Sequence, residues 1–374
     1  MMKLLKKLLS YEQRRKILIF FNRLWVSFCN FLPVRNRVLF FTIRSEGELL
    51  DNIKALYNAL ECKKVIFAHK QPHKIRVKPA AYYYLLTSRV IVTDDYCGYM
   101  RAMKLKNGQK LFQIWHGCGA FKCFALDAVK DNPSDIRYEK AAHSQYSAVA
   151  VTSEKSRDVF ARAFGIDKEK CLAIGLPKTD IMVNNPERIR ERFFEEYPEL
   201  KSKKIYLYCP TFREKNHELT VFDPGIPWKQ LSSELSEDEV FIVNRHPLAD
   251  YEIIKGRYDN IRDMSGESTT ALIAAASAVI TDYSSVVHDS TLMGKPMVFF
   301  CPDFSEYERN FYIDYPGDLP GEMTKNPGEL LGFIRRAVKE PPLDRIEKFR
   351  KEQLSACDGH SSERAVRLIE GWLK

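Results

Sequence analysis

Val279-Ile-Thr-Asp-Tyr-Ser-Ser-Val-Val-His-Asp289, running on through Leu292-Met-Gly-Lys-Pro-Met-Val-Phe-Phe-Cys301, is the stretch whose reading decides the fold. An apolar run of strand length gives way to a polar turn carrying Asp282, Ser284 and Ser285. One helix follows, and a second apolar strand starts after Gly294 and Pro296. Strand, turn, helix and strand make a βαβ unit, which implies a parallel sheet. Two hydroxyls then sit where a helix opens, and free backbone N–H groups and the positive helix end suit a phosphate there. A plain serine N-cap fits the same residues, so the choice depends on the rest of the chain.

The alternation extends outward in both directions. Arg37–Thr42, Lys64–Ala68, Val90–Thr93, Leu111–Trp115, Ala148–Val151 and Cys171–Ile174 read as strands in the first half, with helical spacing between several of them. A charged passage from Asn184 to Lys204, with Pro186 and Pro198, reads as a junction. Ile205–Tyr208, Val240–Val243, Asn260-Ile261, Ala278–Ile280 and Met297–Phe300 then repeat the pattern. The expected fold is α/β: two Rossmann-like domains facing a cleft, at 34–195 and 196–374, the second carrying the terminal helices.

A chain of 374 residues with 45% hydrophobic and 29% charged residues is globular in composition and long enough for two domains. The net charge of +9 favours anionic partners such as nucleotides, phosphorylated polymers or acidic lipid. No nucleic-acid motif accompanies that charge, which argues against nucleic acid. Nine cysteines stand singly, without a Cys-x-x-Cys pair, as expected of a reducing cytoplasm.

Residues 1–33 differ from the rest. Lys3, Lys6 and Lys7 alternate with leucines, and Arg14, Arg15 and Lys16 precede Ile17–Phe21 and Leu24-Trp-Val26. No run reaches the ~18 apolar residues of a spanning helix. The segment reads as a basic amphipathic, membrane-associating helix in the interface, with a helix packed on the protein's own body and a secretory signal as the alternatives.

Four segments end strands with polar or basic side chains, where open α/β sheets bind ligands. In Gln113-Ile-Trp-His-Gly-Cys-Gly-Ala-Phe-Lys122, His116 has the near-neutral pKa of a general base, and Gly117 and Gly119 permit close backbone approach. In Tyr208-Cys-Pro-Thr-Phe-Arg213, Thr211 and Arg213 follow a strand, and the arginine fork suits a phosphate. In Ile242-Val-Asn-Arg-His-Pro247, Arg245 suits anion binding and His246 donation to a phosphoryl oxygen. The fourth is the Asp282–Ser285 turn, with Asp289 within reach of a loop or a substrate hydroxyl and His288 turned to the core. Together they describe a nucleotide-diphosphate cleft with a base on the opposite wall.

His116-Gly, Pro210-Thr-Phe-Arg, Arg245-His-Pro and Thr281-Asp-Tyr-Ser-Ser-Val, in this order, resemble the CDP-glycerol glycerophosphotransferase family of teichoic-acid and capsule synthesis. Gly175-Leu-Pro-Lys-Thr-Asp180, Gly294-Lys-Pro296 and Asp358-Gly-His-Ser-Ser-Glu-Arg364 add to the resemblance, which spans roughly Val38 to Arg367. It implies a GT-B-like fold and transfer of glycerol or ribitol phosphate from a CDP-linked donor to an acceptor hydroxyl, with CMP leaving. By that resemblance His116 and His246 are catalytic, and Gly117, Lys122, Thr211, Arg213, Arg245, Asp282, Ser284, Ser285 and Asp289 bind substrate. It also implies a lipid-linked acceptor, a peripheral position on the cytoplasmic face of a bacterial membrane, and no tightly bound cofactor beyond Mg²⁺ accompanying the donor phosphates. The lysine of this chain stands one position later than in the best-known form of the motif, His-Gly-Thr-Pro-Leu-Lys.

Two other functions fit parts of the pattern: a nucleotide-sugar glycosyltransferase on the same fold, and a non-catalytic peripheral protein that binds anionic polymer. No dedicated metal site is expected. His69 and His73 have ligand spacing, but Pro72 argues against a helix there, and Asp94-Asp95 reads as a turn cap.

Overall fold

The computed structural model describes residues 11–70, 78–101, 103–129, 132–215, 218–246, 248–249 and 251–374. In the first half, β1 (Arg35–Thr42), β2 (Lys64–Ala68), β3 (Ser88–Thr93), β4 (Lys110–Gln113), β5 (Ala148–Val151) and β6 (Cys171–Ala173) pair in parallel, in the order β2-β1-β3-β4-β5-β6. Val38–Phe41 and Val90–Val92 are wholly buried, because helices cover both faces of the sheet. The period-2 alternation sends Leu39 and Phe41 into one core and Val38 and Phe40 into the other. Each such fully buried Leu or Phe is worth roughly 1.5–3 kcal/mol.

From Lys204 the chain forms β7 (Lys204–Cys209), a small antiparallel hairpin of β8 (Arg213–Lys215) and β9 (Glu218–Thr220), then β10 (Glu239–Val243), β11 (Ile261–Asp263), β12 (Ala278–Thr281), β13 (Met297–Phe300) and β14 (Glu322–Thr324). Without the hairpin these make a second parallel sheet, β11-β10-β7-β12-β13-β14. Strand order reverses between β7 and β12, and in the first sheet between β1 and β3. Ligands of open α/β sheets bind beyond the carboxyl ends of the strands at such points. Topology thus selects the segments after Cys209 and Thr281 in one lobe, and after Thr42 and Thr93 in the other.

Two expectations need correction. β4 ends at Gln113 instead of Trp115, because the Trp115 N–H turns back onto Gln113 Oε1 at 2.8 Å and Trp115 adopts φ +50°. The last helix, Ser361–Leu373, was expected with the second domain but packs on the first sheet. Its Ala365 and Ile369 complete the core formed by Val38, Phe40 and Leu56, and Asp180 accepts from the Ser361 and Ser362 N–H groups at 2.9 and 2.7 Å. A helix that opens on an acceptor in the first lobe has two of its orphan donors satisfied there.

The helix Tyr11–Phe31 docks by one side: Cys29 is buried and Trp25 Nε1 donates to Pro79 O at 2.7 Å. Lys106 Nζ donates to Cys29 O and Leu32 O at 2.9 and 2.6 Å, closing its C-terminal end. Phe20, Phe21, Leu24, Phe28 and Phe31 are exposed. No helix among the described residues is long and apolar enough to cross a membrane. The lysines of residues 1–10 lie outside the described residues, as do Pro72 and His73, while His69 pairs with Glu46 at 2.7 Å.

Candidate active site between the two lobes

His116 leaves the first sheet just after β4, on a strained turn. The wholly buried Asn52 donates from Nδ2 to Trp115 O and accepts the Lys178 N–H at Oδ1, both at 3.1 Å. The His116 ring lies 4.5 Å from that of Trp115. Its Nδ1 lies 3.2 Å from Asp94 O, and a carbonyl only accepts, so the proton of the neutral ring is on Nδ1 and the Nε2 lone pair is free. Desolvation holds the pKa below its ordinary value, with Arg44 and Lys178 acting the same way and Asp95 opposing. A neutral imidazole with an open Nε2 can accept a proton near pH 7.

The opposite lobe presents His246 in the other state. Its Nδ1 accepts the Leu248 N–H at 3.1 Å, which leaves the neutral ring's proton on Nε2 as a donor. The ring packs 4.8 Å from Phe212, and desolvation followed by the charge of Lys122 lowers its pKa.

The loop from Gly117 to Lys122 joins the two. Gly119, at φ +68°, lies so close to His288 that a Cβ there would meet Nε2 at 2.2 Å. Lys122 pairs with Phe311 through the backbone, and Phe121 O accepts from Tyr312 N at 2.9 Å, so the loop rests on the second lobe. The Lys122 ammonium is pushed down to about 8 by burial first and then by Arg309, with Arg213 adding to the effect and Asp282 opposing it. Among the described residues it forms no ion pair, unlike Arg213 beside it. A half-buried lysine beside arginines and a histidine is a place that favours an anion.

Several residues expected to touch substrate are committed elsewhere. The Arg213 guanidinium bonds Asp303 Oδ2 at 2.6 Å, Asp303 Oδ1 at 3.1 Å, Asp282 Oδ2 at 2.9 Å and Thr211 O at 2.6 Å. It also lies 3.9 Å over the Phe222 ring. Asp282, wholly buried, additionally accepts the Thr211 N–H at 2.9 Å. These two residues tie the loop after β7 to the turn after β12. Arg245 is similarly occupied by Asp263 Oδ2 at 2.9 Å and Ala249 O at 3.0 Å, shaping the loop that carries His246. Asp289 meets Lys178 at 3.1 Å, one lobe to the other. Ser284 Oγ accepts the Val286 N–H at 3.3 Å, whereas Ser285 makes no side-chain cap on the helix Val286–Leu292 and is exposed. Thr211 Oγ1 is buried and has no hydrogen-bond partner among the described residues. Gly117 has a negative φ and room for a Cβ.

A family model described as CDP-Glycerol:Poly(glycerophosphate) glycerophosphotransferase matches residues 24–371. The chain belongs to that family. Polyol-phosphate transfer from a CDP-linked donor, the chemistry expected from the ordered motifs, is the chemistry of this enzyme class. A teichoic acid ribitol-phosphate primase of Bacillus spizizenii is 31% identical over 363 residues, with 91% of this chain and 93% of that protein covered. A teichoic acid glycerol-phosphate primase of Bacillus subtilis is 30% identical, with 78% and 75% covered. The wall teichoic acid polymerase TagF superposes with a TM-score of 0.78 at 22% identity, over 97% of this chain and 96% of that chain. At that identity the likeness speaks for the fold, which is GT-B-like.

Sequence reasoning passed over five residues of this candidate site. Asp94 and Asp95 were read as a turn cap, yet they border His116. Asn52 and Gln113, both wholly buried, shape the turn that presents it. Lys178 sat in Gly175-Leu-Pro-Lys-Thr-Asp180, which counted only toward the family resemblance. A polar residue at the end of an apolar strand was the available signal for Gln113 and the aspartates.

Proposed function

We propose that His116 is the general base and His246 a donor to the donor phosphates in transfer of a polyol phosphate from CDP-glycerol or CDP-ribitol to a lipid-linked acceptor. The acceptor O–H gives its proton to His116 Nε2 as its oxygen attacks the polyol-bearing phosphorus. The bond from that phosphorus to the CMP oxygen breaks, and CMP leaves with the electron pair. His246 Nε2–H and the Lys122 ammonium meet the charge on the diphosphate, as preorganised donors do in phosphoryl transfer. The main support is the opposed tautomers of two histidines from different lobes, with Lys122, on the loop that follows His116, acting on His246.

Mg²⁺ enters this proposal as a counter-ion brought by the donor phosphates. Asp282 and Asp303 are engaged by Arg213, and no group of three or more His, Cys, Asp or Glu among the described residues is arranged to hold a metal ion. We assign the protein to the cytoplasmic membrane face, peripherally, with the exposed aromatics of helix Tyr11–Phe31 in the interface.

Incubation with CDP-glycerol, CDP-ribitol and UDP-sugars, using a synthetic lipid-linked disaccharide as acceptor, tests the assignment. Polyol phosphate on the lipid product and stoichiometric CMP are expected. Turnover of UDP-sugars alone would defeat it, and counting the units added separates a primase from a polymerase.

A further inference from the structure

We infer that Asp95 is a positioning residue for His116 and that Gln113 sets the spacing between them, which rests on the assignment of His116 as base. Asp95 Oδ2 stands 3.8 Å from His116 Nδ1, beside the Asp94 carbonyl that takes the proton of that nitrogen. The rest of Asp95 is pinned. Its Oδ1 accepts the Tyr96 N–H at 2.7 Å, and its carbonyl accepts from Gln113 Nε2 at 3.1 Å and Thr93 Oγ1 at 3.2 Å.

Gln113 is wholly buried, and its Oε1 accepts the Trp115 N–H at 2.8 Å. One amide therefore ties the exit of β3 to the exit of β4, the two places from which Asp95 and His116 project. Behind it runs a buried chain. Gln113 Nε2 donates to Tyr146 OH at 2.9 Å, Tyr146 OH lies 2.9 Å from His143 Nδ1, and His143 Nε2 lies 3.0 Å from Glu139 Oε2. The chain has one consistent polarity: with its oxygen accepting from Gln113, Tyr146 gives its proton to Nδ1, and His143 keeps its own on Nε2 for Glu139. A satisfied buried network selects one arrangement of its members. Here it selects a non-glycine residue at φ +50° immediately before the base.

The charged groups that face His116 are Asp94 and Asp95 beyond β3, Arg44 beyond β1 and Lys178 beyond β6; Asp51 pairs with Arg44, and Asp289 with Lys178. Both cations oppose formation of the imidazolium as the acceptor proton arrives. Asp95 opposes them and is the carboxylate held at the ring.

The test is Asp95→Asn in the full-length protein, with the His116 pKa read by imidazole NMR and the pH profile of kcat/KM measured in parallel. Removing the negative charge disfavours the imidazolium, so the NMR pKa and the acid limb are both expected to move to lower pH. A fall in kcat of about tenfold or more is expected with them. Asp95→Glu is expected to restore part of both, and Gln113→Leu to lower kcat with little change in donor KM. Asp95→Asn with the parental NMR pKa and acid limb would overturn the inference while leaving the base assignment standing. Parental activity in His116→Ala would instead overturn the base assignment and this inference with it.

Discussion

At the residue scale, the proposed reaction rests on which nitrogen of each imidazole is committed to the backbone. His116→Ala is expected to lower kcat by about 10² or more, the usual scale for a general base, with little change in donor KM. The pH profile carries a second signature. As the proposed base His116 has to be neutral, so the acid limb of kcat/KM is expected below the ordinary histidine value, because burial lowers its pKa. Lys122 must be charged to hold a diphosphate, so a basic limb is expected near its value of about 8, as activity falls with deprotonation. Lys122→Met is expected to remove that basic limb and raise donor KM. A limb that persists in Lys122→Met would assign it to another group.

At the element scale, strand exits and the contacts that bend them place the site. Arg213 joins the loop after β7 to the turn after β12, and its side chain and that of Asp282 are 11% and 0% exposed. Arg213→Met leaves two carboxylates without their cation, a loss of about 3–5 kcal/mol for a broken buried pair. A lower midpoint in urea is the expected readout. Gly119→Ala brings a methyl onto His288 and forces a side chain into φ +68°. Its activity is expected to fall well below that of Gly117→Ala, where a Cβ meets only the Trp115 ring at 3.7 Å. His288→Ala is expected to rescue Gly119→Ala in part, since it removes the collision but leaves the backbone cost.

At the scale of the whole molecule, the two lobes are joined by the Lys178–Asp289 pair, by the loop from Gly117 to Lys122 and by the terminal helix that returns to the first sheet. One side of the helix Tyr11–Phe31 is spent on that body, and its outer side carries Phe20, Phe21, Leu24, Phe28 and Phe31. Sedimentation with anionic vesicles is expected to fall sharply when Phe20, Phe21 and Phe28 are replaced by serine. The midpoint of unfolding is expected to stay close to the parent, because these rings are exposed. Undiminished sedimentation in that variant would remove the helix from the membrane assignment.

Much of this molecule was legible in the chain because strand and helix periodicity are local. Val279–Cys301 announced its βαβ unit, and the buried apolar runs of β1 and β3 announced sheets covered on both faces. His116 and His246 stood out as imidazoles at strand ends for the same reason. The chain alone could not say which charged residues face outward. Arg213, Arg245, Asp282 and Asp289 have the chemistry of ligand contacts, yet each has a partner distant in sequence: Asp303, Asp263, Arg213 and Lys178. Neither could it assign Ser361–Leu373 to the first sheet or join Gln113 to Asp95, since burial and hydrogen-bond partnership arise only when remote segments meet. Periodicity determined the elements and the places where chemistry could sit; contacts between segments remote in sequence decided which side chains were already engaged.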